Sequence, residues 1–245
     1  MQTFFCFNLV IHGYDLNRII EEVLTRISLN KTTWIVTANP EILLYAHKHP
    51  DYSEVIRQAD LRTVDGTGLQ FAGYWRGAKP KRVSGVILAE SLIELSVKKS
   101  WTIVLIGGME GVADKAAWFL RKKFPNIKVF SEPGGTISIN GISDEEGEHA
   151  IVRIQEYEPD IIFVAFGHPK QEQWIYRNRD KFPTVKVYIG VGGTFDYWAE
   201  KVKRAPIWIQ KTGFEWLHRL IVEPKRFKRI WNALVVFPWT FFINK

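Results

Sequence analysis

The feature that most narrows the folds open to this chain is an alternation of two hydrophobic periods along nearly its whole length. Short apolar, β-rich runs are read at residues 4–11, 33–37, 61–64, 102–106, 127–130, 161–166 and 185–189. Between them lie amphipathic stretches, as in 112–124, where Val112, Ala116, Phe119 and Leu120 recur at helical spacing. Strand and helix in alternation predict a mainly parallel sheet with helices on both faces, a Rossmann-like α/β fold. With 46% hydrophobic residues in 245, the chain has the means to bury a full core. Sheets of this kind bind ligands at the carboxyl ends of their strands, so polar residues there are the first candidates for function.

Charge divides the chain. Residues 201–230 hold Lys201, Lys203, Arg204, Lys211, Arg219, Lys225, Arg226, Lys228 and Arg229 against Glu215 and Glu223, so this stretch alone carries the formal net charge of +7. We therefore divide the chain into an α/β catalytic body, 1–200, and a basic helical appendage, 201–245. Pro224 suits the start of a helix in which Phe227, Ile230, Trp231 and Leu234 form an apolar stripe beside Lys225, Arg226, Lys228 and Arg229. Such a helix suits an anionic membrane surface; packing on the body is the alternative. The further apolar residues Val235, Val236, Phe237, Trp239, Phe241 and Phe242 favour the membrane-facing role. The run 233–243 contains Pro238 and falls short of the roughly 20 residues a membrane span needs. The start of the chain has no secretory-signal pattern. The lone Cys6, in a strand-like run, reads as a buried inert thiol in a reducing, cytoplasmic compartment.

Candidate functional groups sit where strands end. Asn39, before Pro40 and Glu41, reads both as a helix N-cap and, with Thr37, as a polar group facing a ligand. Asp65 precedes Gly66 and is either a turn former or a general base. Gly107, Gly108 and Gly111 lead into a helix, but their spacing is not that of a dinucleotide fingerprint. His168 is expected to satisfy a local hydrogen bond, with Lys170 and Gln171 beside it. Gly190, Gly192, Gly193 and Asp196 make a second glycine-rich strand end. Asp144, Glu145 and Glu146 read as acids favoured at a helix start. No D-x-D pair offers a metal a diphosphate site, so a diphosphate substrate needs arginine and lysine instead.

Taken together, TANPEI (37–42), Ala59, Asp60, Asp65 and Gly66, KRVSG (81–85), LIGG (105–108), FGHPKQE (166–172), IGVGGTFDYWAEKVKRAP (189–206) and EWLHRLIVEPKRFKR (215–229) resemble the WecG/TagA/CpsF glycosyltransferases of bacterial cell-surface polymer synthesis. The resemblance implies inverting, metal-independent transfer of a sugar from a UDP-sugar to a polyprenyl-diphosphate-linked sugar, in polysaccharide or teichoic acid synthesis. The enzyme would be attached peripherally to the cytoplasmic face of the membrane. Carried over by motif, Asp65 becomes the general base, and Thr37, Asn39 and Gln171 become polar groups around the sugars. Arg82, Gly85, Gly107, Gly108, Gly192 and Asp196 would bind the nucleotide sugar, and Arg219, Arg226 and Arg229 would close over its diphosphate. N-acetylmannosamine, its uronic acid and glucose stay open as the sugar transferred, and self-association stays open too. Two other readings compete: a nucleotide-sensing protein whose basic, aromatic tail binds nucleic acid, and a dehydrogenase with an altered Rossmann turn. The resemblance implies no nucleic-acid partner and no cofactor.

Overall fold

The computed structural model describes residues 2–202 and 227–243, together with Ala205, Pro206, Ile209, Leu217, Leu220, Ile221 and Pro224. Its described strands are β1 (Thr3–Cys6), β2 (Leu9–His12), β3 (Thr33–Ala38), β4 (Leu61–Val64), β5 (Thr102–Gly107), β6 (Lys128–Glu132), β7 (Ile161–Ala165) and β8 (Val187–Gly190). They form one sheet in the order β1-β2-β4-β3-β8-β7-β5-β6, parallel throughout except for the β1–β2 pair. The predicted α/β class is therefore correct.

The first predicted strand needs correction. Residues 4–11 are not one strand but a hairpin that turns at Phe7 and Asn8, both left-handed at φ 49° and 62°. Asparagine tolerates that conformation, but phenylalanine adopts it at a cost. The Phe7 ring stacks on His47 and meets Phe237 and Phe241 edge-on, and these contacts offset the cost.

Side-chain alternation along the strands feeds two cores. Trp34, Val36, Val104, Ile106, Ile162, Val164 and Tyr188 face one side, where α2 (Pro40–Lys48), α3 (Pro50–Arg57), α7 (Glu145–Glu156) and α8 (Lys170–Asn178) pack. Ile35, Ile103, Leu105, Ile161, Phe163, Val187 and Ile189 face the other, under α1 (Leu16–Ser28), α5 (Gly85–Lys99), α6 (Val112–Lys123) and α9 (Thr194–Trp198). The helix α4 (Thr67–Trp75) lies against β1, with Leu69, Ala72 and Gly73 buried. Cys6 is buried as expected, and burial pushes its thiol up to about 12.

Two acids pin the amino-terminal edge of the sheet. Asp60 accepts from the Trp34 amide and pairs with Arg26, while Asp160 accepts from the Thr102 amide and pairs with Lys186. Asp144 caps α7, accepting from Gly147 and Thr136 amides that hold its carboxyl below the ordinary range, as the acid-rich helix start predicts.

Near the carboxyl end the chain forms α10 (Phe227–Trp231), a π-helical turn (Asn232–Val236) and α11 (Phe237–Ile243). Pro238 has no amide hydrogen, and in a regular helix its ring would strike the Leu234 carbonyl. The wider turn, in which the Phe237 amide donates to Asn232, accommodates it. The apolar run expected to face a membrane is divided: Phe237 and Phe241 are buried in the body's core, where they fill the space beside Phe7, while Val235, Trp239 and Phe242 stay exposed. Phe227, Trp231 and Leu234 of the predicted stripe remain exposed. Lys203, Arg204, Lys211, Arg219, Lys225 and Arg226 lie outside the described residues, as does the junction between Pro224 and the helix predicted to follow it.

Candidate active site

A cavity of about 890 Å³ opens at the carboxyl ends of β3, β4, β5, β7 and β8. It forms there because each strand ends in a residue that turns the chain into a following loop or helix, leaving short polar side chains and glycines around one space. Thr37, Asn39, Asp65, Arg82, Gly85, Gly108, Gln171, Gly192, Asp196 and Arg229 all line it. Gly107 does not: its left-handed backbone carries the chain under Phe166 and delivers Gly108 to the wall. Arg219 and Arg226 lie outside the described residues.

Asp65 follows β4, and its amide donates to the Ala38 carbonyl at the end of β3. Its Oδ2 accepts from the Gly85 amide at 3.2 Å. A Cβ placed on Gly85 would stand 3.4 Å from Thr37 Cγ2 and 3.5 Å from Asp65 Oδ2, so hydroxyl and carboxylate share one patch of wall. Thr37 donates its own hydroxyl hydrogen to the Gly190 carbonyl at 3.0 Å, tying β3 to β8 and leaving its oxygen lone pairs as the free acceptor. Asn39 is the N-cap of α2, as predicted, its Oδ1 accepting from the Glu41 and Ile42 amides, and the residue also lines the cavity.

Gln171 is buried and held from two sides. Its Oε1 accepts from the Gly192 amide at 3.1 Å, and its Nε2 donates to Glu172 Oε1 at 2.7 Å. Gly190 makes room for it, since a Cβ there would meet Gln171 Nε2 at 2.5 Å. Glu172 accepts in turn from the Tyr52 hydroxyl at 3.0 Å. Burial raises the Glu172 carboxyl above its ordinary range, against the opposing pull of the Gln171 and Tyr52 hydrogen bonds. Gln171 thus fixes the glycine-rich loop after β8, a role that the adjacent Gln-Glu pair in sequence does not reveal.

Arg229 reaches the cavity from α10, and its guanidinium forms a two-pronged pair with Glu41, with Nε and Nη2 donating at 2.6 to 2.9 Å. Glu41, passed over in the sequence as part of a cap motif, therefore ties α10 to the cavity's edge. Its signal was present only as an acid in the first turn of α2. Lys170 and Lys201 also line the wall, so Arg82, Lys170, Lys201 and Arg229 face it against Asp65 and Asp196, an excess of cations that suits an anionic ligand. His168 departs from expectation. Its Nδ1 is buried and makes no hydrogen bond among the described residues, and its ring meets Tyr45 edge-on. Burial, then the nearby Arg229 charge, lowers its pKa against the pull of Glu41, favouring the neutral ring. Among the described residues, no three His, Cys, Asp or Glu side chains converge as a metal site.

The sequence profile described as "Glycosyl transferase WecG/TagA/CpsF family" matches residues 4–245. A protein of Staphylococcus aureus strain MRSA252, named N-acetylglucosaminyldiphosphoundecaprenol N-acetyl-beta-D-mannosaminyltransferase, is 37% identical over 199 residues, covering 80% of this chain and 75% of its own. The protein of the same name from strain NCTC 8325 / PS 47 is 36% identical over the same lengths. Neither the nucleic-acid reading nor the dehydrogenase reading gains support from these relatives. The match spans both the strand ends that build the cavity and the helix that brings Arg229 to it, and on that evidence the chain belongs to the WecG/TagA/CpsF family of glycosyltransferases.

Proposed function

We propose that this enzyme transfers N-acetylmannosamine from a UDP-sugar to a hydroxyl of an N-acetylglucosamine carried on a polyprenyl diphosphate, in cell-surface polymer synthesis. The observation that carries the reading is Asp65, at one wall with Thr37 beside it, facing a cavity in which cations outnumber acids. The names of the relatives supply the transferred sugar and the acceptor.

The reaction is a single displacement. Asp65 takes the proton of the acceptor hydroxyl, and the oxygen attacks the anomeric carbon. The bond from that carbon to the UDP oxygen breaks, its electron pair leaves on the diphosphate, and configuration inverts. Thr37 and Asn39 hold the sugars, while the glycines at Gly108 and in the Gly192 loop, which Gln171 fixes, let the nucleotide sugar approach the backbone closely. Arg82, Asp196 and Gly85 belong to the same pocket. Arg229, joined by Arg219 and Arg226, offsets the charge on the departing diphosphate in place of a divalent cation. Removing one such donor costs roughly 3–4 kcal/mol of barrier in comparable anion-stabilising sites. Residues 201–245 serve as the appendage that closes the site, acting at the cytoplasmic membrane face. Among the described residues no helix is long and apolar enough to cross a membrane, which is compatible with peripheral attachment.

The test is release of UDP from UDP-N-acetylmannosamine in the presence of a lipid-diphosphate N-acetylglucosamine analogue and a metal chelator. The parent enzyme should turn over, and Asp65→Asn should lose turnover while still binding UDP. Turnover retained by Asp65→Asn would remove the base from this scheme.

A further inference from the structure

We propose that the outer face of α4, joined to the outer face of α11, is a docking surface for an anionic lipid bilayer. Phe71, Tyr74 and Trp75 recur at helical spacing on α4 and project outward, 64%, 52% and 57% exposed. The opposite face of this helix is already committed to the body through Leu69, Ala72 and Gly73. Trp75 meets Phe242 of α11 edge-on with ring centroids 4.9 Å apart, so the two helices present one continuous aromatic patch. Trp239 and Ile243 extend it, 71% and 62% exposed. Contiguous exposed apolar area of this kind marks an interaction site.

Charge identifies the occupant. From Gly66 to Ala89 the chain has no Asp or Glu, yet it has Arg76, Lys79 and Lys81, all exposed, and Arg82 at the cavity. Residues 227–243 likewise contain no acid, and Lys228 there is exposed, while Arg229 is paired with Glu41 at the cavity. Tryptophan and tyrosine rings settle at the headgroup level of a bilayer, and a cationic fringe beside them attracts anionic lipid. A second copy of this chain is a poorer match, because a two-fold contact would set the same cationic fringe against itself. The patch also begins at the cavity: Gly66 and Thr67, where α4 starts, line its wall. A lipid-borne acceptor held in the bilayer under α4 would therefore enter beside Asp65, a consequence that rests on the proposed function, whereas the docking surface does not.

The test is co-sedimentation of the full chain with vesicles of phosphatidylcholine containing about 30% phosphatidylglycerol, against phosphatidylcholine alone. Two variants are compared, F71S/Y74S/W75S and K79E/K81E. Trp118→Ser, at an exposed tryptophan on α6, is the control. Each α4 variant should lower partition into the anionic vesicles about tenfold, with the control unchanged and neutral vesicles bound weakly by all. The charge variant changes only exposed lysines, so it keeps the test decisive if the aromatic variant fails to fold. Unchanged partition of K79E/K81E would overturn the proposal. So would equal binding of the parent to neutral vesicles, or loss of a parent dimer in F71S/Y74S/W75S with vesicle binding intact. Transfer to a short-chain, water-soluble acceptor should persist in both variants while transfer to a vesicle-borne acceptor falls. If the parent transfers to neither, the catalytic reading fails and sedimentation alone still decides this one.

Discussion

Three aspartates at strand boundaries show how surroundings assign a role. Asp60 and Asp160 lie at the amino-terminal edge of the sheet, where backbone amides and a basic partner saturate them as braces. Asp65 lies at the opposite edge, on the wall of the cavity, which is the position the proposed general base requires. The supporting residue is Glu172, whose hydrogen bonds to Gln171 and Tyr52 lie behind the Gly192 loop. Burial raises the Glu172 carboxyl above its ordinary value of 4.5, so the folded chain holds this proton more tightly than the unfolded chain. The stability it contributes is full below 4.5 and declines as pH rises through the higher folded value. Melting temperature measured against pH should show the parent losing ground to Glu172→Gln over that rise, and a constant difference would refute the assignment. Glu172→Ala removes the acceptor for two buried donors and should cost about 1–3 kcal/mol for each.

At the scale of elements, α11 is held by Phe237 and Phe241, and it carries the rest of the tail helix with it. Replacing a buried phenylalanine by alanine costs about 3–5 kcal/mol. Phe237→Ala should therefore speed amide exchange in residues 237–243 by about a hundredfold or more while β3 and β8 keep their protection. Equal loosening of the whole sheet would show that α11 is not a separately held unit. The sequence made most elements legible, because β4 and α6 show clean periodicity between clear stops. It concealed the β1–β2 turn, since Phe7 prolongs an apolar run and is stabilised in its left-handed form only by rings distant in sequence. The π turn was hidden for a similar reason, because helical spacing does not show where a proline will widen the helix ahead of it. At the cavity, strand ends pointed to Thr37, Asn39 and Asp65. The ties between Arg229 and Glu41, and between Gln171 and Gly192, are tertiary contacts that no local spacing encodes.

Considered as a whole, the molecule builds its cavity by joining distant parts of the chain: Glu41 and Arg229 stand 188 residues apart. If Glu41 positions this guanidinium for the diphosphate, Glu41→Ala and Arg229→Ala should each lower kcat/KM, and the double variant should be less impaired than the two effects combined. A coupling of about 1–2 kcal/mol in a double-mutant cycle is expected, and simple additivity would separate the two residues. The sheet order carries a similar consequence. β3 and β8 are neighbours at its centre, and the Thr37–Gly190 hydrogen bond that fastens them bridges 153 residues. A nascent chain leaving the ribosome can pair β3 with β4, and β5 with β6 and β7, but these remain separate slabs until β8 arrives to bridge them. No reaction chamber exists in a polypeptide that stops short of that strand, so premature termination yields inert protein and never a partly competent fragment.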